Sequence, residues 1–132
     1  MIDVKVETVD TTAAVRKSAD KAQFRNFGHA AATIRRTAAE SIQRAEGPSE
    51  PGSPPHTHRR VFLRRAIRFF VDKNKNEAII GPRASIVGDV GEVLEFGGTR
   101  GDTVHPPRPF MLPALVAEAP RFADTWQGSI GE

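Results

Sequence analysis

Glu95-Phe96-Gly97-Gly98 and, six residues further on, His105-Pro106-Pro107-Arg108-Pro109-Phe110-Met111-Leu112-Pro113-Ala114-Leu115 decide how this chain folds. A short apolar element ends on the paired glycines, and a helix is entered through Arg108-Pro109-Phe110. Four prolines within eight residues, Pro106, Pro107, Pro109 and Pro113, each fix φ near one value and remove a donor. The approach to the last helix is therefore stiff. Leu112, Leu115, Ala119, Phe122 and Trp126 fall on one face of a helix expected over 109–126. Phe110 just precedes that face and is expected to be a buried plug. Pro113 sits in the first turn, where its missing donor is harmless, and Pro120 is expected to bend the helix.

Upstream of this unit, Ser85-Ile86-Val87 is expected to add a strand. Val90, Val93, Leu94 and Phe96, interrupted by Gly91, suit a short helix or a strand. The clearest hairpin precedes them. Ile67, Phe69 and Val71 alternate with Arg68, Phe70 and Asp72, then Lys73-Asn74-Lys75-Asn76 turns the chain into Glu77-Ala78-Ile79-Ile80. The hairpin's phenylalanines are expected inside. Val61 to Ala66 suits a helical turn.

The N-terminal half is dominated by one long helix, expected over about 13–45, in which Phe24, Phe27, Ala31, Ile34, Ala38, Ile42 and Ala45 recur at spacings of three or four. Asp10-Thr11-Thr12 offers its N-cap, and Gly47 its C-terminal stop. Before it, Ile2, Val4 and Val6 alternate with Asp3, Lys5 and Glu7 as in a strand. After it, Pro48-Ser49-Glu50-Pro51-Gly52-Ser53-Pro54-Pro55 suits neither helix nor central strand. Residues 47–58 are expected to form an extended Pro/Gly-rich arm or loop within a single α+β domain spanning 1–132. In that fold the long N-terminal helix and the C-terminal helix pack on a small, mainly antiparallel β-sheet.

Composition narrows the function classes. The 132 residues include no cysteine, which excludes disulfides, thiolate metal sites and a cysteine nucleophile. No apolar run approaches the roughly 20 residues that cross a bilayer. Charge is segregated along the chain. Residues 59–83 hold eight basic and two acidic side chains, net +6, and residues 84–132 hold three basic and seven acidic, net −4. Such a split suits an external polyanion, a solvated basic edge, or a basic face of one subunit against an acidic face of the next.

Chemistry-bearing motifs are sparse. His56-Thr57-His58 offers two ring nitrogens at strand spacing, but a zinc site needs three or four ligands, so a solvent-facing pair is expected. Glu92 and Glu95 share a helical spacing without a neighbouring base or acid, and a solvated or intersubunit role is expected for them. No phosphate loop, dinucleotide fingerprint or nucleophile elbow occurs. Neither an enzyme nor a cofactor or metal site is expected. Arg59, Arg60, Arg64, Arg65 and Arg68 interleave with Phe62, Phe69 and Phe70, ingredients of a small basic nucleic-acid-binding domain, the alternative reading.

The Glu95-Phe96-Gly97 element and the Pro107-Arg108-Pro109-Phe110 helix entry resemble the neck and tail-completion proteins of long-tailed bacteriophages. The Pro51-Gly52-Ser53-Pro54-Pro55 loop and the basic turn from Arg59 to Arg65 are similar to the same family. The matched segments cover about a third of the chain, and Gly98 stands where the family usually has Thr or Ser. The resemblance implies a structural virion protein made in the host cytoplasm and located at the head–tail interface. It implies a closed, commonly six-fold ring joined to head-connector and tail-tube or tail-terminator proteins. Non-specific contact with packaged DNA and no membrane partner go with it. On this reading Pro51, Pro54, Pro55, His56, Arg59, Arg60, Arg64, Arg65, Glu95 and Arg108 are the expected subunit or partner contacts. Arg108 is expected to fan over Glu95 or over a neighbour's acid.

Overall fold

The computed structural model describes residues 2–57 and 62–127, with side-chain detail for 14–57 and 63–127. The architecture is α+β. Helix α1 (Ile2–Ser41) is followed by strands β1 (Gln43–Arg44) and β2 (His56–Thr57) and by the short helix α2 (Phe62–Ala66). Next come strands β3 (Ile67–Asp72) and β4 (Glu77–Pro82), then helices α3 (Ala84–Val87) and α4 (Val90–Phe96). Strands β5 (Gly98–Arg100) and β6 (Thr103–His105) lead into helix α5 (Met111–Trp126). Among the described residues the strands pair as three two-stranded sheets in place of the one sheet expected: β1 with β2 in parallel, and two antiparallel hairpins, β3–β4 and β5–β6.

Ile34, Ala38, Ile42, Leu63, Ile67, Phe110 and Ala114 form the core, with Ala39, Ile80, Leu94 and Met111 against it. The small side chains of Ala31, Ala38 and Ala114, all buried, let α1 and α5 approach closely. Phe27 stacks on Phe122 with ring centroids 5.7 Å apart, and the Thr37 hydroxyl donates to Glu118 Oε1 at 2.8 Å. On the other side α1 carries the hairpin, where Arg35 Nε donates to the Ile67 carbonyl at 2.7 Å.

Several expectations are corrected. Residues 2–8 belong to α1 and form no strand, and α1 runs through the expected cap at Asp10-Thr11-Thr12. Alternation over so few residues yields to helix propagation, in which each added residue gains a hydrogen bond. At its other end α1 stops at Ser41, before Ala45 and Gly47. Ile42 N–H closes the last turn onto the Ala39 carbonyl at 3.2 Å, and Arg64 Nε donates to that same carbonyl at 2.9 Å. Gln43 and Arg44 then pair with His56 and Thr57, a tertiary demand that local propensity cannot register. Phe24 is 44% exposed and lies under the Lys73 ammonium, 4.6 Å from its ring centroid. Residues 85–87 are helical in α3, and 90–96 take the helical option.

The segment after α1 is a closed loop and does not extend as an arm. Ala45 N–H donates to Thr57 O at 3.1 Å, and Gly52 N–H reaches the Pro107 carbonyl at 2.8 Å. Ser49, Pro55 and Thr57 are buried.

Phe122 and Trp126 lie inward in α5 as expected, but over 111–119 the inward face is shifted by one residue from the expected Leu112, Leu115 and Ala119. Ala114 is buried, and Met111, Glu118, Phe122 and Trp126 are half-buried. Leu112, Leu115, Val116 and Ala119 are exposed. A count of apolar residues misassigns the face because Glu118, a charged residue, occupies the inward position and is satisfied there by Thr37.

Candidate functional site

The two segments quoted at the outset fold into one unit. Helix α4 delivers Glu95 to the open end of α5, where its Oε2 accepts the N–H groups of Phe110 and Met111, both at 2.9 Å. Its Oε1 accepts Leu112 N–H at 2.9 Å. The first turn of a helix has free donors and a partial positive charge, so a carboxylate there both satisfies and neutralises it. Glu95 is thus a cap supplied from another helix, a role within the chain that its sequence position did not announce. Glu92, three residues earlier, is exposed.

Gly97 follows the cap with φ 75°, and a Cβ there would lie 3.0 Å from Pro107 Cδ and N. Glycine is favoured on both counts: a side chain would be strained at this φ and would crowd Pro107. Arg108 N–H donates to the Leu94 carbonyl at 2.6 Å, completing the seam between the two segments. Its guanidinium turns the other way, Nε donating to the Ser49 carbonyl at 2.9 Å. Arg108 therefore anchors the 47–57 loop and does not lie over Glu95. The Ser49 hydroxyl beside this bond is buried and has no partner among the described residues.

The remaining expected contact residues divide. Pro51 is exposed, Pro54 half-buried and Pro55 buried, so the proline loop presents only part of itself. His56 is half-buried with Nδ1 3.3 Å from the Gly47 carbonyl. Arg64 is held by its own chain at Ala39 O, whereas Arg65 is exposed. Arg59 and Arg60, with His58, lie outside the described residues. Among the described residues, no three His, Asp or Glu side chains gather as a metal-ligand group. No helix among them is long and apolar enough to cross a membrane.

Two apolar surfaces were not anticipated. The first is an open groove of about 680 Å³ between the end of β4, helices α3 and α4, and the start of α5. Ile34 and Phe110 contribute from the core, and Pro82, Gly91, Phe96, Leu112 and Leu115 complete its apolar lining. Asp89 and Glu92 also line it, and Asp89 forms a loose ion pair with Arg100 at 3.9 Å. Phe96 is 77% exposed. The expected inward face of α5 thus supplies part of an open groove. The second surface is the outer face of the β3–β4 hairpin. Registered pairing sets Phe70 opposite Ile79, and these are 64% and 59% exposed. Phe69 is also partly exposed, so the expected burial of the hairpin phenylalanines is corrected for both. Strand alternation directs Ile67 and Ile80 toward α1 and leaves Phe70 and Ile79 on the opposite face.

A signal for β5–β6 was present but unread. Thr99-Arg100-Gly101-Asp102-Thr103 places a glycine first in a two-residue turn, and Gly101 adopts φ 63°. No family model, curated protein or solved structure matches the chain.

Proposed function

We propose that this protein is a structural subunit of a tailed phage or prophage particle, acting at the head–tail interface as a tail-completion or neck component. The observation that carries the reading is the Glu95 cap on α5. The residues on which the phage resemblance rests, Glu95, Gly97, Arg108 and Phe110, form one interlocked structural unit. Shared residues with interdependent geometry support a shared scaffold better than scattered matches do. The scaffold also leaves large apolar side chains exposed at Phe70, Ile79, Phe96 and Leu112, as an assembly subunit requires before it meets its partners. Work of this kind is binding and closure, and no covalent step enters it.

The test is genetic and visual. Disrupting the reading frame in a particle-producing strain should leave filled heads and tails that do not join, and supplying the protein in trans should restore joining. Normal particles from the disrupted strain would overturn the proposal.

The nucleic-acid reading has one observation in its favour: Phe70 lies exposed on the same hairpin face as Arg68. Asp72 and Glu77 share that face, and their charge opposes a phosphate backbone. Titrating labelled duplex and single-stranded DNA at two salt concentrations tests it. Binding that weakens steeply with salt, and is lost in Phe70→Ala, would favour this alternative.

A further inference from the structure

Residues 47–57 lean on a small set of hydrogen bonds. Pro48, Pro51, Pro54 and Pro55 have no N–H, so four positions of the loop donate nothing. Gly52 N–H reaches the Pro107 carbonyl at 2.8 Å, and Arg108 Nε reaches the Ser49 carbonyl at 2.9 Å. The short pairing of β1 with β2 closes the base. One group works against these ties. Ser49 is 5% exposed, and essentially none of its hydroxyl oxygen is open to a water molecule. With no partner among the described residues, the hydroxyl has lost its hydration and gained no hydrogen bond in return.

We propose that residues 47–57 form a strap poised to open, with the Ser49 hydroxyl as its internal bias toward the open form and Arg108 as the latch that opposes it. Lifting the segment away from Arg108 returns the hydroxyl to water, so opening recovers part of what the broken hydrogen bonds cost. The exposed tip, Glu50 to Gly52, is where such an opening begins. The latch also has a second attachment. Arg108 N–H donates to the Leu94 carbonyl, next to Glu95, the cap of α5. Strap and helix seam therefore share one residue, the side chain of Arg108 holding the first and its backbone the second. A poised strap of this kind does not depend on the phage role.

Native-state amide exchange over a denaturant series tests the strap in the natural chain and in Ser49→Ala, with Gly52 N–H as the reporter. In the natural chain Gly52 should exchange through a local opening that depends little on denaturant. Its protection should be at least about tenfold below that of Ala38 N–H, inside α1. Ser49→Ala removes the unpaired group from the closed form. Protection of Gly52 should then rise about tenfold, and the global folding equilibrium by a similar factor. Three results overturn the proposal. Exchange of Gly52 only through global unfolding would mean that the loop has no opening of its own. Unchanged or lower stability of Ser49→Ala would mean that the hydroxyl is satisfied where it lies. A more stable Ser49→Ala chain with unchanged protection at Gly52 would mean that opening leaves Ser49 buried, so the hydroxyl could not bias it.

Discussion

Glu95 Oε2 and the backbone N–H of Phe110 meet at 2.9 Å, joining the last turn of α4 to the first turn of α5. The same carboxylate takes the next two N–H groups as well. A helix that begins after a proline-rich run has no cap of its own in Arg108-Pro109. Its N-cap residue Phe110 makes no side-chain capping bond. The carboxylate therefore sets both where α5 starts and how it is rotated, which decides that Ala114 faces α1 and Leu115 faces the groove.

Replacing Glu95 by Ala leaves three donors to water and removes a charge matched to the helix end. The expected cost is about 2 kcal/mol, in the upper range for loss of a helix cap. Glu95→Gln keeps acceptor capacity on one oxygen only and should cost less. Thermal melts of the two variants check the order. Equal stability of Glu95→Ala and the natural chain would contradict the capping role.

Phe110 is fully buried in the core between α1 and α5. Truncating a buried phenylalanine typically costs about 3–5 kcal/mol, a large share of the stability of a chain this size. Phe110→Ala should unfold at much lower denaturant concentration than the natural chain. A variant that kept its stability and lost only assembly would place this side chain at a partner instead.

Arg64 and Arg65 are neighbours in sequence with different surroundings. Arg64 holds the Ala39 carbonyl at the end of α1, and Arg65 is exposed. Charge reversal at Arg64 should lower the melting temperature, whereas Arg65→Glu should leave it within about 0.5 kcal/mol of the natural stability. A loss of assembly in Arg65→Glu without loss of stability would assign it to a contact. Comparable melting of both variants would contradict the structural role of Arg64.

Arg108 and the 47–57 loop form another linked pair. Arg108→Ala removes the hydrogen bond to Ser49 O, while Gly52 remains tied to Pro107 O. The loop should become more open to protease and to amide exchange, with a modest fall in stability of about 1–2 kcal/mol. Unchanged protection of residues 48–55 in Arg108→Ala would show that the loop is held without it.

The hairpin's two strands and its turn were legible because alternation from Ile67 to Val71 and the Lys73–Asn76 turn are local signals. Phe110 was legible as a plug because the prolines before it leave few ways to begin a helix. Of the α5 face, Phe122 and Trp126 were legible and the turn from Met111 to Glu118 was not, since a hydrophobicity pattern passes over Glu118 and only Thr37, far away in sequence, makes it an inward residue. The same is true of the site. Glu95 resembled a surface carboxylate until the end of α5 was placed beside it. The groove exists only where β4, α4 and α5 converge, and no single segment records it.

Gly91 is the closest approach in that convergence. A Cβ built on it would lie 2.3 Å from Pro82 Cγ and 2.9 Å from Pro82 Cβ, so α4 crosses the end of β4 with no room for a methyl group. Helix propensity alone favours Gly91→Ala by up to about 1 kcal/mol. The overlap opposes it, and overpacking of this kind costs roughly 1–3 kcal/mol once the pyrrolidine ring or α4 has shifted. The net effect should be destabilising by about 1 kcal/mol. The decisive measurement is a double-mutant cycle with Pro82→Ala, which removes the clashing Cγ. In the Pro82→Ala background, Gly91→Ala should become less harmful or even stabilising. Strictly additive effects of the two substitutions would mean that Gly91 is needed for some reason other than its contact with Pro82.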